Sequence, residues 1–97
     1  MMNANTARKM TIKAIEEKEA KTMSYAENIV NWLGEIVIKP AAKEGKSGTY
    51  FTDPELHEHF SYLEMTGTDK ALEILKELGY EVEVEYTNRG NIYILAW

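Results

Sequence analysis

The sequence predicts an α+β fold, a small three-stranded antiparallel sheet packed by helices behind a long N-terminal helix. Three observations predict it. No Gly or Pro interrupts residues 6–33, and apolar side chains recur there in steps of three and four. Tyr80, Val82, Val84 and Tyr86 alternate with Glu81, Glu83 and Glu85, the period-two pattern of a strand with one buried face. After a turn over 87–91, Ile92, Tyr93, Ile94, Leu95, Ala96 and Trp97 form a run that is apolar on both faces. Such a strand belongs at the centre of a sheet or under cover on both sides. The 97 residues read as a single domain, with a helical segment over 1–45 and a β-α-α-β-β unit over 46–97.

The elements follow in order. Asn5 offers an N-cap for the first helix, because its side-chain oxygen can accept from an orphan backbone N–H. Ile12, Ile15, Glu19, Thr22, Ala26, Ile29, Leu33 and Ile36 lie on one stripe, widened by Tyr25 and Trp32. Glu19 and Thr22 interrupt that seam, so a strict coiled coil is not expected, whereas contact with a partner is. Gly34 weakens the helix by about 1 kcal/mol relative to Ala. Pro40 should kink or restart it, and Gly45 supplies a left-handed stop. Residues 47–52 make a short strand rich in β-branched and aromatic side chains. Asp53, Pro54 and Glu55 then open a helix, with Asp53 as its cap, in which Leu56, Phe60 and Leu63 share a face through about Met65. Thr66, Gly67 and Thr68 break it. Thr68 or Asp69 caps the next helix, whose apolar face is Ala71, Leu72, Leu75 and Leu78, and Gly79 ends it.

Composition bounds the function. With 44% hydrophobic and 28% charged residues the chain has enough apolar surface to fold. A net charge of −5 argues against non-specific binding to nucleic acid or to anionic membranes. No apolar run approaches the roughly 18 residues of a membrane span, and the first residues lack the hydrophobic segment of a secretory leader. With no Cys, disulfides and thiol chemistry are excluded, which favours the cytoplasm. No catalytic set is recognisable, and neither an enzyme nor a cofactor is expected. His57 and His59 stand two apart, which on a helix turns them about 200° from each other and away from any shared metal. Gly45, Lys46 and Ser47 resemble the end of a phosphate-binding loop. Pro40 occupies the position of the required Gly, however, and a helix leads where a strand should. Lys46 in that turn remains a candidate anion contact.

Two surfaces stand out. Glu81, Glu83 and Glu85 form an acidic row, either a solvated face that discourages edge pairing or a dock for a basic partner. Tyr93, Leu95 and Trp97 share one face of the last strand, opposite Ile92, Ile94 and Ala96. One face meets the helices. The other requires cover from the N-terminal helix or from a second subunit, so a homo-oligomer is expected. Tyr93 and Trp97, flanked by Arg89 and Asn91, are also candidates for stacking a planar ligand.

The order helix–strand–helix–helix–strand–strand is that of a winged helix-turn-helix domain, with helices 53–65 and 69–78 as the reading pair and 87–91 as the wing. Its second helix exposes Asp69, Glu73 and Glu77 against Lys70 and Lys76, a charge balance opposed to DNA. A transcriptional regulator is therefore the alternative reading.

The opening Asn3-Ala4-Asn5-Thr6-Ala7-Arg8, leading into a charged helix, together with Leu78-Gly79-Tyr80 and a closing hairpin that ends Ala96-Trp97, resembles short accessory proteins of bacteriophages infecting Gram-positive bacteria. The likeness covers both ends and is weaker over 34–68. It implies a non-enzymatic, oligomeric product in the host cytoplasm that counters host defence, either by sequestering a nucleotide-like signal or by blocking a host protein. On that resemblance Asn3 and Arg8 become candidate ligand contacts. The sequence thus leads to a binding protein.

Overall fold

The structure, a computed structural model, describes residues 2–97. Helix α1 spans Ala4–Trp32. Its cap is Asn3 rather than Asn5: the Asn3 side-chain oxygen accepts from the Thr6 N–H at 2.9 Å. The helix then widens into a π-helical stretch, Leu33–Ile38, before α2, Lys39–Lys43. The Lys39 N–H donates to the Gly34 carbonyl five residues back, the signature of a π turn. Pro40 accounts for the widening. It has no N–H to give, and in a regular helix its ring would collide with the carbonyl four residues earlier.

The extra residue resets the helical phase. Leu33 and Ile38, five apart, would point about 140° away from each other on an α-helix. Here both are buried, together with Ala41, while Ile36 is turned out and 58% exposed. The expected stripe is therefore buried only at Ala26, Ile29 and Leu33; its first half, Ile12, Ile15 and Glu19, is exposed because no element packs beside it among the described residues, and it fails again at Ile36. Helix α2 ends as expected at Gly45 (φ +83°), where Gly45 and Lys46 N–H groups close back onto the Ala42 and Ala41 carbonyls, each at 3.0 Å.

Strand β1 covers Gly48–Thr52, α3 Asp53–His59, α4 Tyr62–Met65, α5 Thr68–Glu77, β2 Glu81–Thr87 and β3 Gly90–Ala96. The helix expected over 53–65 is two short ones. The chain turns extended at Phe60, and a capping box starts afresh: the Ser61 hydroxyl takes the Glu64 N–H while the Glu64 carboxylate takes the Ser61 N–H. The break leaves Leu63 exposed rather than in line with Leu56. Thr52, not Asp53, caps α3. Gly67 precedes α5, and the Thr68 hydroxyl turns back to the Met65 carbonyl at 2.7 Å instead of capping. Leu78, expected on the buried face of α5, ends the helix exposed.

The sheet is antiparallel with the order β1-β3-β2, so the doubly apolar last strand is central, as its composition requires. The register pairs Phe51 and Val84 with Tyr93, and Thr49 and Val82 with Leu95, on the inner face. Phe51 and Tyr93 rings stack there with centroids 4.7 Å apart. This face meets Ile29 and Leu33 of the first helix, Leu56 of α3, and Ala71 and Leu75 of α5, in one contiguous core. Tyr86 has passed the rim of that core and is exposed.

Helix α1 reaches this core only through its second half. Ala26, Ile29 and Leu33 are fully buried, whereas every residue over 4–21 is exposed. The chain therefore measures 63 × 29 × 20 Å, with a radius of gyration of 17.1 Å. A compact domain of this length has about 13 Å.

Candidate functional site

Two surfaces on this framework lack partners among the described residues. The first is the arm formed by residues 4–21 of α1. At about 1.5 Å rise per residue it stands some 27 Å out from the body. Met10, Ile12 and Ile15 are exposed by 56%, 56% and 52%, although each belongs to a residue type that normally seeks cover. Arg8, Ile12 and Ile15 fall within about 60° on the helix, with Lys9 and Lys13 flanking them on one side. From residue 2 to Ile15 the arm carries three basic residues and no acidic one.

The second surface is the outer face of the sheet. The register places Gly48, Tyr50 and Thr52 beside Ala96, Ile94 and Ile92, and these beside Glu81, Glu83 and Glu85. Among the described residues no helix covers this face. Tyr50 is 63% exposed, and a shallow apolar trough runs between Tyr50, Ile92, Ile94 and Ala96. The face is an apolar strip bordered along one side by a row of carboxylates. One face of β3 meets the helices as expected, and the other is open: the N-terminal helix, one of its two expected covers, does not lie on it.

The residues singled out from the sequence are dispersed over this molecule. Asn3 and Arg8 lie at the far end of the arm, Asn3 as its cap. Lys46 follows α2, where its ammonium pairs with Glu44 at 3.1 Å on the surface. Trp97 comes to the same end of the sheet, since its N–H donates to the Ser47 carbonyl at 2.9 Å, and its ring meets Tyr80 edge-on. Arg89 and Asn91 are at the opposite end, in and beside the β2–β3 turn. Tyr93 is buried beneath them on the inner face and its ring is spent on Phe51. Within one chain these seven residues do not make a common pocket.

What Asn91 and Tyr93 do share is Asp53. One carboxylate oxygen accepts the Asn91 N–H and the other the Tyr93 hydroxyl, each at 2.7 Å. Asp53 thus ties the start of α3 to the hairpin, thirty-eight and forty residues away in sequence. Gly90 (φ +110°) lets the turn approach, since a Cβ there would stand 3.1 Å from that of Asp53. Burial, and then the hydrogen bond to Asp53, push the Tyr93 phenol from 10.0 up to about 12, so it remains a proton donor. Sequence reading assigned Asp53 to capping and missed this role. Its place in the first turn of α3 gave the residues no signal that distinguished the two roles.

A hollow of about 300 Å³ opens beside this tie, lined by Asp53, His57, Tyr62, Asp69 and Tyr93 among others. Both oxygens of Asp53 are already engaged, and among the described residues no group of three or more His, Cys, Asp or Glu is placed to hold a metal. His57 stacks edge-on with Tyr62, and His59 lies against Trp32. Among the described residues no helix is long and apolar enough to cross a membrane. No family model, curated protein or solved structure matches the chain.

Proposed function

We propose that this chain is a non-enzymatic docking protein of the phage accessory type, which engages a host protein through its exposed arm. The observation that carries the reading is the arm itself. The arm lacks the tertiary packing from which most helical stability comes, and it presents Met10, Ile12 and Ile15 to solvent. A segment of that kind gains order and burial together when an apolar, acid-flanked groove receives it. The scatter of Asn3, Arg8, Lys46, Arg89, Asn91, Tyr93 and Trp97 favours a protein partner over capture of a nucleotide-like signal by a single chain. The resemblance of both chain ends to phage products supports a partner in the host.

Photo-crosslinking from positions 12 and 15 in cells producing the protein tests this. Both positions are expected to give an adduct with the same host protein, and a control at the exposed Glu58 is expected to give none. Equal labelling from all three positions, or adducts only with further copies of the chain, would remove the host-partner reading.

A second reading rests on topology. The order of elements and the sheet order β1-β3-β2 are those expected of a winged-helix domain, and that likeness of order is what supports a regulator. Against it, α5 exposes Asp69, Glu73 and Glu77, and Lys70 is paired with Glu73 at 3.2 Å. This reading requires duplex DNA binding at low salt that weakens steeply as salt is added.

A further inference from the structure

The charge of the chain is divided unevenly between arm and body. Residues 2–21 hold five basic and three acidic side chains, a balance of +2, whereas the remainder holds six basic and thirteen acidic, a balance of −7. The basic half of the arm carries isolated apolar residues, and the open sheet face carries an apolar strip with an acidic border. Each surface has what the other lacks. We propose that the open sheet face of one copy receives the arm of a second copy, and that reciprocal exchange of arms makes the protein a closed dimer. This inference goes beyond the docking role assigned above: it names an occupant for the open face, and an arm seated there is withdrawn from a host partner until the dimer opens.

The spacing of the two surfaces agrees. Lys9 and Lys13 are one helical turn apart, about 6 Å, and Glu83 and Glu85 on one face of a strand are separated by about 7 Å. With Ile12 and Ile15 laid on Tyr50, Ile92 and Ile94, the flanking lysines extend over the neighbouring strand β2, where the carboxylates are. The arm cannot supply this cover to its own sheet. Residues 4–32 form one unbroken helix without Gly or Pro, so nothing in it bends far enough to return the arm to the body. An arm-to-arm pair would shield Ile12 and Ile15 but leave Tyr50, Ile92 and Ile94 bare. Arm-on-sheet exchange covers both surfaces, and its two equivalent contacts close the assembly rather than propagate it.

Charge reversal on the exposed residues tests the pairing without disturbing the core. The wild-type protein is expected to sediment at twice its 11.1 kDa chain mass. Glu83→Lys with Glu85→Lys, and separately Lys9→Glu with Lys13→Glu, should each weaken self-association at least tenfold. Circular dichroism confirms that both variants keep their fold. Mixed together, the two variants should restore the dimer, because each arm then meets a face of opposite charge. A wild-type chain that stays monomeric up to about 1 mM overturns the proposal, since that corresponds to only about 4 kcal/mol of association. So does a face variant that remains fully dimeric while the arm variant dissociates, which would identify an arm-to-arm pair. Failure of the mixture to associate also overturns it. A monomer that nevertheless crosslinks a host protein from positions 12 and 15 would remove this inference and leave the docking role standing.

Discussion

Gly67 packs against the backbone of Ala26 so closely that a Cβ added at Gly67 would stand 2.7 Å from the Ala26 nitrogen and 2.8 Å from the Tyr25 Cβ. Its φ of −82° is open to any residue, so the glycine serves proximity rather than an unusual backbone angle. It allows the turn before α5 to seat the root of the arm on the body. Gly67→Ala is therefore expected to destabilise the fold by about 3 kcal/mol, measured by urea unfolding. Gly34→Ala, where an added Cβ meets nothing within 4 Å, is expected to be neutral or slightly stabilising.

The π-helical phase shift separates two neighbouring isoleucines. Ile38→Ala removes a buried side chain beside Leu33 and is expected to cost about 2–4 kcal/mol. Ile36→Ala, on the exposed side, should change stability by less than about 0.5 kcal/mol. An unbroken α-helix through Pro40 would assign these costs differently, so thermal unfolding of the two variants reports the helical phase directly.

The Tyr93 phenol gives the fold an alkaline limit. Its folded pKa of about 12 lies above the ordinary 10.0, so the native state retains a proton that the unfolded chain releases. Stability from this group is whole below pH 10 and is lost as pH rises from 10 to 12, by roughly 2–3 kcal/mol. Tyr93→Phe should lower stability at pH 7 by about 1–2 kcal/mol and flatten that alkaline loss relative to wild type. Asp53→Ala removes the acceptor for both the Tyr93 hydroxyl and the Asn91 N–H, and should cost more at pH 7 than Tyr93→Phe.

Deleting residues 2–18 should leave the unfolding free energy of the monomeric body within about 0.5 kcal/mol of the full chain, because none of the deleted residues touches the core. The far-UV helical signal should fall with the deletion, while the near-UV signal of the buried aromatics stays.

Much of this architecture was legible from the residues. The strict alternation over 80–86 located β2, and the double apolarity of β3 correctly demanded a central position. Gly45 and Gly79 ended helices as expected, Gly45 with the left-handed backbone foreseen for it. Three features were harder to read, each for a physical reason. The stripe through Leu33 continued numerically to Ile36, but Pro40 imposed a wider turn ahead of itself, and a fixed period cannot register an inserted residue. The Ser61–Glu64 capping box was present in the sequence and was overridden by the apolar spacing of Leu56, Phe60 and Leu63. Asp53 looks the same whether it caps a helix or bridges to a strand about forty residues on, because only tertiary approach distinguishes the two. The candidate ligand residues were chosen by sequence resemblance, by the phosphate-loop-like turn at Lys46 and by proximity within the hairpin, none of which makes a common cavity. The weakness of the seam at Glu19 and Thr22 was visible, whereas the exposure of Ile12 and Ile15 beyond it became apparent only in three dimensions.

The projecting half of α1 also sets how the chain meets proteases. When the arm is undocked, Arg8, Lys9, Lys13, Lys18 and Lys21 are five tryptic points on a rod whose turns are held by local hydrogen bonds alone, and such turns open far more often than a packed core does. Digestion would shave the molecule to a stump beginning near Thr22 and leave the sheet and its helices whole. A preparation handled without inhibitors would thus yield a shorter, well-behaved particle that has lost its reach.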